Sequence, residues 1–168
     1  MCSSDLAMST VLLRGQLETF YSEYAAALDE LRYDDWLALF SDDSCHYKIQ
    51  SRENFDRGLP LATLAFESKA MLKDRIYGVL NTLFHAPYYQ RHCFGPIRIV
   101  QGDDQSLLCT VQLNYSVFRT KRAQPTEVFN VGRTIDQLQR GGDGQWRLVD
   151  KHIVFDSDLI ANSMIHPL

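Results

Sequence analysis

The chain has 168 residues, is 45% hydrophobic and 23% charged, and carries a formal net charge of −4. That length fits one domain with a sizeable core, and the acidic balance offers no basic field for nucleic acid or an anionic membrane. No apolar run approaches the roughly 20 residues that span a bilayer.

Met1 to Ala7 lacks the basic flank and apolar block of a signal peptide, and Met8 could act as a second start. Residues 1–9 are expected to form a disordered extension, with residues 10–168 as a single domain. Cys2, Cys45, Cys93 and Cys109 are isolated, which suits free thiols in a reducing cytoplasm.

Ser9 or Thr10 is expected to cap a first helix. Leu13, Leu17, Phe20, Tyr24, Leu28 and Leu31 then recur at three- and four-residue steps and give it one apolar stripe. A short second helix follows at Asp34 to Phe40, its acidic start matching the helix dipole. Cys45, Tyr47 and Ile49 alternate with His46, Lys48 and Gln50 as a strand. Ser51 to Pro60 is a charged loop, and Leu61 to Phe66 a further strand. Ser68 caps the next helix, with Leu72, Ile76, Val79, Leu80 and Leu83 as its stripe. Ala86-Pro87 ends it. His92 to Val100 reads as a strand interrupted at Gly95-Pro96.

From Leu107 onwards the pattern is an antiparallel meander. Leu107 to Val117 alternates cleanly, Val128 to Gln139 less so, and Gly132 is read as marking a bulge. Arg140 to Gly144 is a hairpin turn. In the last strand Trp146, Leu148, Asp150, His152 and Val154 fall on one face, and Arg147, Val149, Lys151, Ile153 and Phe155 on the other. Residues 156–168 alternate weakly, as a final edge segment would. Helices gathered early and an antiparallel sheet late give an α+β fold, and helices across a concave face would make a cone with a pocket.

Neither paired cysteine–histidine motifs for an iron–sulfur cluster nor a phosphate-binding glycine loop occurs, so no metal or cofactor ligand is assigned. Asp150 and His152 share a face and could form a general-base pair, or simply a hydrogen-bonded structural pair. Arg91 and His92, with Glu53, Asn54 and Arg57 in the polar loop, are candidates for ligand contact or for loop anchoring. Arg147 and Lys151, beside Ile153 and Phe155, mix charge with apolar area as subunit interfaces do.

Several segments, in order, resemble one family. They are Tyr33 to Phe40, Tyr47-Lys48-Ile49, Glu53-Asn54 with Arg57-Gly58, Leu72 to Ile76, Arg91-His92, Tyr115 to Lys121, and Trp146 to Asp156. Together they resemble the small (β) subunits of aromatic-ring-hydroxylating oxygenases. Within that family, Gln50 to Asn54, Leu61 to Ser68 and His85 to His92 look most like the small subunits of salicylate 5-hydroxylases. Gln50 stands where many relatives have proline, and Tyr89-Gln90-Arg91 replaces a Ser-Arg pair.

The resemblance implies a cystatin-like, nuclear-transport-factor-like cone with helices on its concave face. It implies a subunit without catalytic residues of its own, trimeric and joined to a large (α) subunit in a three-plus-three assembly. A Rieske [2Fe-2S] cluster and a mononuclear Fe(II) are expected in that partner, with a ferredoxin and an NAD(P)H-dependent reductase supplying electrons. Two other readings remain open: a free-standing cone-fold dehydratase or isomerase using Asp150 and His152, and a small-molecule binding module.

Overall fold

The computed structural model describes residues 3–159 and 164–168. The elements are α1 (Ser3–Asp29), α2 (Tyr33–Ala38), β1 (His46–Ser51), α3 (Arg52–Asp56), β2 (Leu64–Phe66), α4 (Lys69–Asn81), β3 (Tyr88–Phe94), β4 (Arg98–Gln101), β5 (Leu108–Lys121), β6 (Glu127–Arg140) and β7 (Trp146–Phe155). Among the described residues the strands form one seven-stranded sheet, ordered β2-β1-β7-β6-β5-β3, with β4 also on β5. It is mixed rather than wholly antiparallel, because β1 runs parallel to β7 (His46 opposite Asp150 through Ser51 opposite Phe155). Helices lie across the concave face, which gives the α+β cone expected.

The helix α1 starts at Ser3, so Ser9 and Thr10 lie inside it rather than capping it. Its stripe is buried from Leu13 to Leu28, but Leu31 lies beyond the helix with φ of 58° and is 53% exposed. Ser68 caps α4 as expected, its hydroxyl accepting from the Met71 amide. Leu72, Ile76 and Val79 face the core, whereas Leu80 and Leu83 are 62% and 41% exposed.

The long strands carry two departures from simple alternation. The β5–β6 register shifts at Val117/Phe118, whereas Gly132 is in register, opposite Tyr115 and Phe155. Gly132 is needed for close approach instead. A Cβ there would sit 2.0 Å from the Val154 carbonyl oxygen. In β7, Leu148 opposes Leu138 and Asp150 opposes Gln137, leaving Val149 as a bulge. One extra residue reverses the face of everything after it. Trp146 and Leu148 point into the cone, and so do Lys151, Ile153 and Phe155. Asp150 and His152 therefore lie on the outer face, apart from Trp146. Lys151 is in the core, not on an interface with Arg147.

Lys151 and its neighbour Asp136 on β6 are both 0% exposed. Lys151 Nζ donates to Asp136 Oδ2 at 3.0 Å, and the Tyr21 hydroxyl and Thr134 Oγ1 donate to the same oxygen at 2.6 and 3.1 Å. The ammonium also lies 4.5 Å from the Tyr24 ring centre. Burial lowers the Lys151 pKa, opposed by Asp136. Such a pair is costly to desolvate, and more costly to break from one side.

Residues 164–168 close the mouth of the cone rather than forming an edge strand; residues 160–163, also within that expectation, lie outside the described residues. His166 is buried there, with its Nδ1 hydrogen-bonded to the Tyr33 hydroxyl. Burial, with His85, Arg75 and His92 nearby, holds its pKa down at about 4.

Two outcomes are expected. Lys151→Met should destabilise the chain by about 3–5 kcal/mol, because Asp136 is left buried without its cation. Lys151→Met with Asp136→Leu should recover most of that loss, as read from urea midpoints. The second outcome concerns pH. The unfolded chain protonates His166 near its ordinary pKa of 6.5, the folded chain only near 4. Stability is then lost as pH falls through that window, because the unfolded state binds the extra proton. His166→Gln should flatten the fall relative to wild type in urea titrations repeated across the window.

Candidate functional site

Three groups of polar residues could carry a function: one on the outer face of the sheet, one at the end of α1, and the Lys151–Asp136 cluster inside the cone. The first is built around Gln50, which is buried although its side chain leaves β1 on the outer side. Its Nε2 donates to the carbonyls of Leu59 and Leu61 at 2.5 and 3.1 Å, and Asn54 Nδ2 donates to Leu61 at 3.2 Å. The loop after α3 is thereby folded back over the sheet. With its amide hydrogens spent on carbonyls, Gln50 offers Oε1 to His152 Nε2, 3.0 Å away, so the imidazole donates. Phe55 meets the His152 ring edge-on at 5.3 Å, and Arg133 lies over Phe55 at 5.1 Å.

Burial lowers the His152 pKa, and Lys48 adds to the effect. Asp150 is raised by burial, against the pull of His46 and Lys48. The two residues share a face, but the imidazole's partner is Gln50, not Asp150. Glu53 and Arg57 form an exposed pair one helical turn apart, at 2.8 Å. Exposed pairs of this kind contribute little, so these two anchor the loop at most weakly.

Arg91 and His92 meet at Asp29, the last residue of α1. Asp29 accepts from the His92 amide at 3.1 and 3.2 Å and lies 2.7 Å from its Nδ1, while Arg91 approaches to 3.8 Å. The carboxylate staples the end of α1 to β3. Beside it is an open cleft of about 1040 Å³ bordered by Tyr88, Gln90, Lys121 and His166. Arg147 belongs to none of these groups. It makes two bonds to Asp143 across the β6–β7 turn and holds that carboxyl well below the usual range.

Inside the cone, Lys151, Tyr21 and Thr134 converge on Asp136 Oδ2. Sequence reasoning missed Asp136, Tyr21 and Asp29, because their partners are distant in the chain. Asp136 left little signal of its own, because the inward face of β6 that it shares with Asn130, Gly132, Thr134 and Leu138 is mostly polar. Among the described residues no group of three or more His, Cys, Asp or Glu side chains could hold a metal ion.

A family model described as "Ring hydroxylating beta subunit" matches residues 23–162. The anthranilate 1,2-dioxygenase small subunit of Burkholderia cepacia is 26% identical over 147 residues, covering 88% of this chain and 89% of that protein. A crystal structure of a β subunit assigned to an aromatic-ring-hydroxylating dioxygenase of Novosphingobium aromaticivorans superposes with a TM-score of 0.81 at 28% identity, over 92% of this chain and 95% of the other. The benzoate 1,2-dioxygenase β subunit of Burkholderia mallei shares the fold, with a TM-score of 0.72 at 16% identity over 90% of this chain and 95% of the other. With the family model spanning most of the chain, and the cone built as the residues require, this protein belongs to the ring-hydroxylating β-subunit family, the small subunits of aromatic-ring-hydroxylating dioxygenases.

Proposed function

We propose that this chain is the non-catalytic small subunit of a multicomponent oxygenase that hydroxylates an aromatic acid, with salicylate as the favoured substrate. The observation that carries this reading is how the interior of the cone is used. The inward-facing acid and base, Asp136 and Lys151, are spent on each other and on Tyr21 and Thr134. The mouth above them is filled by residues 164–168. A free-standing cone enzyme needs a substrate to reach its acid or base, and neither group is reachable here.

A large iron-bearing subunit is the proposed partner, holding the Rieske cluster and the mononuclear iron, with a ferredoxin and reductase acting on the complex. A trimer of small subunits joined to three large ones is the proposed assembly, and residues 10–168 act as one domain within it. An apolar surface supports a protein partner: Tyr77, Leu80, Leu83 and Phe84, on α4 and just beyond it, are exposed, and Leu31 borders a cleft with Leu80. Grouped exposed apolar residues mark contact surfaces. The substrate class rests on the likeness of Gln50 to Asn54, Leu61 to Ser68 and His85 to His92 to salicylate 5-hydroxylases. It agrees with the acids named for two of the similar proteins, anthranilate and benzoate.

The test is co-expression with the large-subunit gene, then turnover of salicylate, anthranilate and benzoate by the purified complex. Only the complex should hydroxylate, with salicylate converted fastest; hydroxylation or dehydration by the isolated chain would overturn the reading. His152→Ala in the complex should lower the yield of assembled protein, because the Gln50 loop loses a hydrogen bond, while turnover per iron stays within a few-fold. A loss of about a hundredfold per iron would instead make His152 an acid–base group.

A further inference from the structure

We propose that the mouth of the cone is a peptide-binding groove that reads main-chain carbonyls, and that residues 164–168 are its resident ligand, held as a strap that can leave and rebind. This does not depend on the oxygenase reading.

The groove is assembled from four elements. Arg75, on α4, donates from Nη2 to the carbonyls of Met164 and Ile165 at 2.7 and 2.9 Å. Tyr24 on α1 and Tyr47 on β1 both donate their hydroxyls to the Leu168 carbonyl, at 2.6 and 3.1 Å. The Leu168 amide donates back to the Tyr47 oxygen at 2.9 Å. Tyr33 on α2 bonds His166 Nδ1 and stacks on its ring with the planes 10° apart. Met164, His166 and Leu168 are all buried.

Three features mark this as recognition of a ligand rather than ordinary core packing. Most of the bonds run from side chains of the cone to the main chain of the segment, as in peptide recognition, where backbone bonds give affinity and side-chain pockets give specificity. The donors converge: one guanidinium and two phenols meet three carbonyl oxygens within five residues. The segment also adds no strand to the sheet, so its place depends on these contacts and on burial of Met164, Pro167 and Leu168. Pro167 seals a small space lined by Trp36, Leu64, Phe66 and Leu72.

The experiment uses the chain lacking residues 164–168 and the capped peptide N-acetyl-Met-Ile-His-Pro-Leu-amide, which carries no carboxylate. Removal should lower the melting temperature by about 5 °C or more. Peptide at millimolar concentration should raise it again, saturably, as a ligand of the folded state does. Arg75→Gln in the shortened chain should abolish that rise.

An unchanged melting temperature on removal would overturn the proposal. So would the absence of a rise with peptide in a chain that still melts cooperatively, or a rise that Arg75→Gln leaves intact. Sodium benzoate matching the peptide would make the groove a carboxylate site and overturn it too. If the shortened chain does not fold, hydrogen exchange at the Leu168 amide in the full-length chain decides. Exchange at least tenfold faster in Arg75→Gln than in wild type supports the strap, and equal rates overturn it.

Discussion

A charge can sit at the centre of this cone only because one residue of β7 is out of step. With Val149 bulged, Leu148 and Lys151 both point inward, and Lys151 falls opposite Asp136 on the neighbouring strand. The ion pair then occupies what would otherwise be a gap among Tyr21, Tyr24 and Phe94, whose rings surround the ammonium at 4.5 to 5.6 Å. Without the bulge, strict alternation would turn Lys151 outward and place Asp150 inside, a carboxylate facing Asp136 with no cation between them. Register, packing and electrostatics thus select the same geometry.

Much of the fold was legible because it is periodic. The stripe Leu13 to Leu28, the Ser68 cap and the alternation of β5 each follow from local chemistry. What was not legible came from breaks in period. A bulge of one residue leaves almost no trace in composition, so strict alternation assigns the faces of β7 wrongly beyond Leu148. Leu80 and Leu83 match the helical stripe yet lie beyond the sheet's reach, so they are exposed. Gly132 looks like a bulge in the sequence, whereas its role is to let β6 approach β7 closely.

The site was less legible than the fold, for a related reason. Its pairs join residues far apart in the chain: Asp29 with His92, Tyr21 with Asp136, Arg75 with Met164 and Ile165. No spacing rule links such partners. The same distance explains why residues 164–168 read as a weak edge strand. A segment held by side chains from four elements needs no periodicity of its own.

Gln50 shows how one side chain settles a question that the sequence left open. A proline at that position could neither donate to Leu59 and Leu61 nor accept from His152. With glutamine, the loop is tied down, and the tautomer of His152 follows. Its Nε2 must carry the proton it gives to Gln50, leaving Nδ1 as the only basic nitrogen of the neutral ring. Both Nδ1 and an ionised Asp150 carboxylate are acceptors, so in this tautomer they cannot share a hydrogen bond. A dyad with the neutral ring would require His152 to give up Gln50 and change tautomer, and Gln50 would then face an imidazole with nothing to donate. The arrangement on the outer face therefore ties the Gln50 loop to β7 and leaves Asp150 out of the imidazole's hydrogen bonding, so the shared face that the sequence shows is not a shared hydrogen bond.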